Sequence, residues 1–236
     1  MILLTQLILA HLIGDFLLQP KKWVKEKEKR TLRSPKFYVH IAIHLGLLFL
    51  ITWNMALAPF LVAIGISHGL IDAAKLLLQK QKNKRFWFFL DQFLHLIVIL
   101  GAWYIATKPE AFLSQNFNLA NGLAIVTAVI FLTKPTSIIM QVIFSKWQLK
   151  KLTAGNESLK DAGKYIGILE RLLVFAFIIT DHWEAVGFLI TAKSVFRFGD
   201  LQESKQRKLT EYVLIGTLIS FGIAIVTGLL YNSLKV

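Results

Sequence analysis

The sequence predicts an all-α fold, a polytopic transmembrane bundle of about eight helices, on three observations. Of its 236 residues, 55% are hydrophobic and only 17% charged, with a mean hydropathy of +0.57. The apolar residues come in runs near the roughly 20 needed to cross a bilayer. The basic residues collect in the short segments between those runs.

The runs predict helices over 2–19, 37–58, 59–78, 88–106, 119–145, 165–181, 183–198 and 212–232. The first has no basic residues before it and contains His11 and Asp15, which a cleaved signal peptide would not, so it reads as a retained span. Pro59 suits the first turn of the third helix, where a missing N–H costs nothing. Lys134-Pro135 interrupts the fifth, which is therefore kinked or split into a span and a surface helix, leaving seven or eight helices in all. Residues 1–106 and 107–236 form two chemically distinct halves of one integral membrane unit.

Orientation follows from lysine and arginine. The segments 20–36, 79–87, 146–164 and 199–211 carry eight, four, five and three of them, 20 of the 27 in the chain. All four fall on one side, which places the N-terminus on the non-cytoplasmic side of a multi-pass protein of the cell inner membrane. The net charge of +13 would suggest nucleic acid in a soluble protein. Here it predicts anionic headgroups at the basic loops, membrane lipid as the partner and no nucleic acid. Oligomeric state stays open. The chain has no cysteine, which excludes disulfides, thiolate metal sites and cysteine nucleophiles.

The first four helices carry the chemistry. They contain His11 and Asp15, His40 and His44, His68 and Asp72, and Asp91 and His95. Each pair is spaced i, i+4, so both side chains share one helix face. Measured from the basic-loop end of each helix, all eight lie about 4–15 Å deep at 1.5 Å per residue. Helices of alternating direction thus bring their pairs to one layer. A carboxylate at the centre of a membrane helix costs about 2.5–3.5 kcal/mol on insertion scales, and a divalent cation is the simplest compensation. Imidazole and carboxylate ligands without thiolate suit Zn, Mn or Fe, and eight ligands match two ions. The alternatives are a hydrogen-bonded His–Asp web and a proton relay. Gln19 and Gln92 are second-layer candidates. Lys75, one turn from Asp72, reaches for headgroups or for a substrate phosphate.

The second half offers Glu170, Arg171, Lys193, Ser194, Arg197 and Glu211. A web such as Glu170–Arg197 or Glu211–Lys193 is one reading. The other is an anionic headgroup pocket with Lys193, Ser194 and Arg197 as donors, oriented by the glutamates.

The strings HLIGDFLLQ, YVHIAIH, SHGLIDAAK and DQFLHL resemble the signature of a bacterial membrane family known only as domain of unknown function 3307. The later strings GILERLLV, EAVGFLITAKSVFRF and EYVLIGTLIS resemble its longer members. That resemblance implies an identity without an activity. The residues themselves lead to a membrane-embedded, metal-dependent hydrolase acting on a lipid or lipid-phosphate-like substrate at the cytoplasmic leaflet. Asp15, Asp72 and Asp91 are its candidate catalytic bases. A metal or proton transporter and a scaffold with a structural metal are the competing classes.

Overall fold

The computed structural model describes residues 2–107, 117–145, 162–195 and 204–234, and among them every regular element is helical. The chain divides into two units, Met1–Thr127 and Ala128–Val236.

The first unit begins with α1 (Ile2–Leu12), which runs into a π-helical turn, Ile13–Leu17, closed by Leu18 N–H donating to Ile13 O at 2.9 Å. Pro20 has no N–H to continue the helix, and the chain turns by 81° into α2 (Lys21–Arg30). The sequence reads 20–36 as a basic loop, whereas most of it is helical. Trp23, Val24 and Lys27 fall on one face of α2 and turn inward, which gives a short cationic segment a surface to fold against. Next come α3 (Pro35–Thr52), α4 (Ala58–Leu78) and α5 (Lys84–Thr107). Prolines sit in the first turns of α3 and α4, and Trp53 ends α3 in the left-handed region at φ 46°. Helix α1 packs against α3 and α5, α3 against α4, and α4 against α5, so the four close into a ring.

That ring is layered. Leu7, Ala10, Leu48, Leu61, Ile64 and Ile99 form its apolar core. On every helix they lie on the side of the histidines away from the basic segments. Its outer surface is apolar too, with Leu50, Ile66, Leu70, Phe93 and Ile105 exposed, as helices facing lipid require.

In the second unit, α6 (Phe117–Leu132), which starts in the first, meets α7 (Lys134–Phe144) at Thr133. The break has identifiable causes and remedies. Pro135 cannot donate to Phe131 O, and Thr136 Oγ1 does so instead at 2.7 Å. The buried Arg171 donates to Leu132 O at 2.7 Å and Thr133 O at 3.2 Å. Helix α8 (Ala162–Ile179) carries Arg171 and packs along α10 (Ser204–Leu234), where Gly228 has no side chain to collide with Ile178. Between them in the chain comes α9 (Trp183–Val195), which packs against α8.

Among the described residues, five segments are long and apolar enough to span a membrane: Pro35–Thr52, Met55–Leu78, Gln81–Thr107, Ala120–Phe144 and Thr210–Leu234. The bent pair at the N-terminus, Ile2–Leu17 with Lys21–Arg33, brings the number to six if it is counted as one span. The interrupted fifth helix of the sequence is therefore two helices within one candidate span. Helix α8 falls short because Lys164, Glu170 and Arg171 interrupt it, and α9 because 13 residues reach only about 20 Å.

The chain lacks cysteine, so its sidedness is open to single-cysteine labelling. Asn54→Cys, between α3 and α4, should react with a membrane-impermeant thiol reagent applied to intact cells, and Lys82→Cys, between α4 and α5, should not. The opposite pattern would invert the orientation expected from the basic segments.

Candidate metal centre

Each i, i+4 pair points into the middle of the four-helix ring. His40, His44, His68, Asp72, Asp91 and His95 are at most 5% exposed. The side chains of His11 and Asp15 are 12% and 9% exposed. All eight predicted ligands therefore meet, and the five imidazoles all engage the cluster through Nε2. The rings of His44 and His68 stack at 3.8 Å, and those of His68 and His95 at 4.1 Å.

Asp15 stands at the centre. Its Oδ1 lies 3.0 Å from His44 Nε2, 3.2 Å from His40 Nε2 and 3.6 Å from His68 Nε2. Its Oδ2 accepts from Gln92 Nε2 at 2.9 Å and lies 3.8 Å from His11 Nε2. The π-turn supplies this position: one extra residue in the turn re-aims a side chain relative to the rest of the helix. Gly14, inside that turn, makes room for His44. A methyl group there would overlap the imidazole, 2.8 Å from Cδ2 and closer to Cε1 and Nε2.

The other two carboxylates carry lysines. Lys27 Nζ donates to Asp72 Oδ2 at 2.9 Å, and Lys75 Nζ donates to Asp91 Oδ2 at 2.7 Å. Lys75 is thus paired at the rim, with its side chain 23% exposed. Sequence reasoning counts Lys27 only as a basic loop residue, yet it is 5% exposed. Its i, i+3 and i, i+4 spacing from Val24 and Trp23, once α2 is recognised as a helix, is the signal that marks it. Further out, Glu28 pairs with Lys84 at 2.6 Å and Ser34 donates to Glu26 at 3.1 Å, which ties α2 down. Gln19 and Gln92 act as second-layer groups. Gln19 Nε2 lies 3.1 Å from His40 Nδ1, and Gln92 Oε1 lies 3.3 Å from His11 Nε2.

Within the cluster, two buried atoms have no hydrogen-bond partner, Asp91 Oδ1 and His95 Nε2, although they stand 3.4 Å apart. Buried polar atoms are rarely left so, and these two face the middle of the cluster. Among the described residues, three groups bring their ligand atoms within 4.8 Å of one another and could hold a metal ion: His11, Asp15, His44 and His68; His40, His68 and Asp72; Asp15, Asp91 and His95. The nitrogen and carboxylate donors suit a borderline or hard divalent cation. A cavity of about 10 Å³, room for roughly one water, adjoins the cluster. His11, His44, His68 and His95 line one side of it, and Leu7, Leu48, Ile64, Val98 and Ile99 the other.

In the second unit, Lys193 pairs with Glu170 at 2.6 Å, a partner neither expected pairing names. The hairpin of α8 and α9 makes them neighbours. Ser194 Oγ donates to Ile190 O of its own helix at 2.9 Å. Arg171 adds Ser137 Oγ at 2.8 Å and Ser220 Oγ at 3.2 Å to its two carbonyls, so it staples helices together. Glu211 is exposed on α10, and Arg197 lies outside the described residues.

Gly14→Ala tests the packing of the centre. Alanine favours a helix by about 1 kcal/mol, whereas forcing a methyl group into the His44 ring should cost about 1–3 kcal/mol. A lowered thermal midpoint in detergent is expected; an unchanged or raised one would contradict the close approach.

A family model described as Protein of unknown function (DUF3307) matches residues 3–124, a stretch that includes all eight candidate histidine and aspartate ligands. No curated protein and no solved structure matches the chain. With more than half of its length covered by that match, the chain belongs to the DUF3307 family.

Proposed function

We propose that this chain is a membrane-embedded, metal-dependent hydrolase of the cell inner membrane. Its substrate is a lipid or lipid-phosphate-like molecule reached from the side of the basic segments, the cytoplasmic leaflet. The observation that carries this reading is the convergence of five Nε2 atoms and three carboxylates on one buried layer, with Asp91 Oδ1 and His95 Nε2 left unpartnered. Divalent Zn, Mn or Fe, about two ions per chain, would supply Lewis acidity toward an ester or phosphoryl oxygen and acidify water near neutral pH.

The chain's own groups do the rest. Asp91 Oδ1 and His95 Nε2, which no side chain satisfies, face inward and are free to hold an ion. Gln92, bonded to both His11 and Asp15, holds those two in register. Lys75 links Asp91 to the rim, where its remaining N–H groups can meet a substrate anion. Beyond the histidines, Leu7, Leu48, Leu61 and Ile64 exclude bulk water, which strengthens every electrostatic contact in the layer. The same apolar layer argues against a conduit for ions, since a transport path needs polar groups toward both faces.

In a hydrolysis assay with anionic lipids and lipid phosphates, His68→Ala should abolish turnover. Asp91→Asn should lower kcat by about 100-fold or more, with both variants checked for folding by thermal melt. Metal-loaded wild type that hydrolyses no such substrate, or that passes metal across vesicle membranes, would refute the hydrolase.

A further inference from the structure

The three ligand groups are not equivalent, and their neighbours separate them. Asp72 Oδ2 is engaged by the buried Lys27 ammonium at 2.9 Å, and the nearest histidine nitrogens lie 3.6 and 3.7 Å from its oxygens. His40 is hemmed in at both nitrogens: Gln19 Nε2 lies 3.1 Å from Nδ1 and 2.9 Å from Nε2, and Nε2 also lies 3.1 Å from His68 Nε2 and 3.2 Å from Asp15 Oδ1. With three polar neighbours within 3.2 Å, that nitrogen is occupied by the protein's own groups. The group of His40, His68 and Asp72 is therefore already satisfied from within.

The other two groups share Asp15, whose oxygens face different ways. Oδ1 faces His44 and His68 on α3 and α4, while Oδ2 faces Gln92 on α5 and lies 3.8 Å from His11 on its own helix. Asp91 gives one oxygen to Lys75 and leaves Oδ1 bare beside the bare His95 Nε2. A carboxylate reaching into two ligand groups with its two oxygens is suited to join two cations, the arrangement of two-metal hydrolytic sites.

We propose that Asp15 bridges two ions, one held by His11, Asp15, His44 and His68, the other by Asp15, Asp91 and His95. His40 and the Asp72–Lys27 pair stand outside the ligand set as positioning groups. His40 orients the bridging carboxylate, and the ion pair fastens α2 over the centre. This assignment rests on the metal reading above and divides the eight predicted ligands six to two.

The test is zinc stoichiometry on detergent-purified, chelator-stripped protein reloaded with Zn²⁺ and desalted. Charge-paired variants avoid leaving a lone buried charge. Wild type should retain about two equivalents and the Lys27→Met/Asp72→Asn double variant the same, as expected for a two-metal site. Lys75→Met/Asp91→Asn should fall to about one equivalent, and Asp15→Asn below one, on the same two-metal basis. Gel filtration and helical circular dichroism check folding, and should Asp15→Asn not fold, the two charge-paired variants decide between themselves. Equal loss in both, or loss in the Asp72 variant alone, would overturn the assignment while leaving a metal centre. Wild type that retains no zinc would overturn the metal reading and the assignment together.

Discussion

Three carboxylates sit inside a ring of helices whose outer surface is apolar, and the surrounding structure answers the cost of keeping them there. A bare carboxylate deep in such a medium is expensive enough to oppose insertion. Asp15 is met by histidines and Gln92, Asp72 by Lys27, and Asp91 by Lys75. Lys27 can reach Asp72 only if α2 folds back across the basic-loop end of the ring, and the 81° turn after the π-helix puts it there. The layering follows from the same demand. Polar groups gather in one stratum where they can satisfy one another, and the other stratum is left to leucine and isoleucine.

Much of this stratum is legible in the sequence because helical geometry leaves little freedom. An i, i+4 pair must share a face, and four antiparallel helices with pairs at equal depth must bring those faces together. Asp15 and Asp91, 76 positions apart, could be assigned to one cluster without any contact information. What the sequence conceals depends on tertiary packing. The charged stretch after Pro20 has no apolar stripe, so nothing local distinguishes a solvated loop from a helix held by one buried lysine. The π-turn is equally hidden. It exists because Asp15 must face His44 and Gly14 must lie against that ring, and neither constraint is present until α3 is in place. In the second unit, Lys134-Pro135 announces the break between α6 and α7, but not that Arg171 would be the group to close it.

That arginine shows the same constraint with opposite sign. Arg171 is 3% exposed, and its guanidinium reaches two backbone carbonyls and two serine hydroxyls. Carbonyls freed by a proline need donors as much as a buried cation needs acceptors, and one residue answers both needs. Lys193 and Glu170 compensate each other in a pair. The polar groups of this unit thus support its helices, whereas the centre of the first unit retains inward-facing atoms that no side chain satisfies.

The claim that these ligands hold metal is tested most directly by X-ray absorption at the metal edge, on protein purified in detergent without chelators. The expected spectrum has a first shell of nitrogen and oxygen, with the outer-shell scattering of several imidazoles. It also has a metal–metal distance of about 3.5–4 Å. An oxygen-only shell without imidazole scattering, or protein that carries no metal, would contradict it.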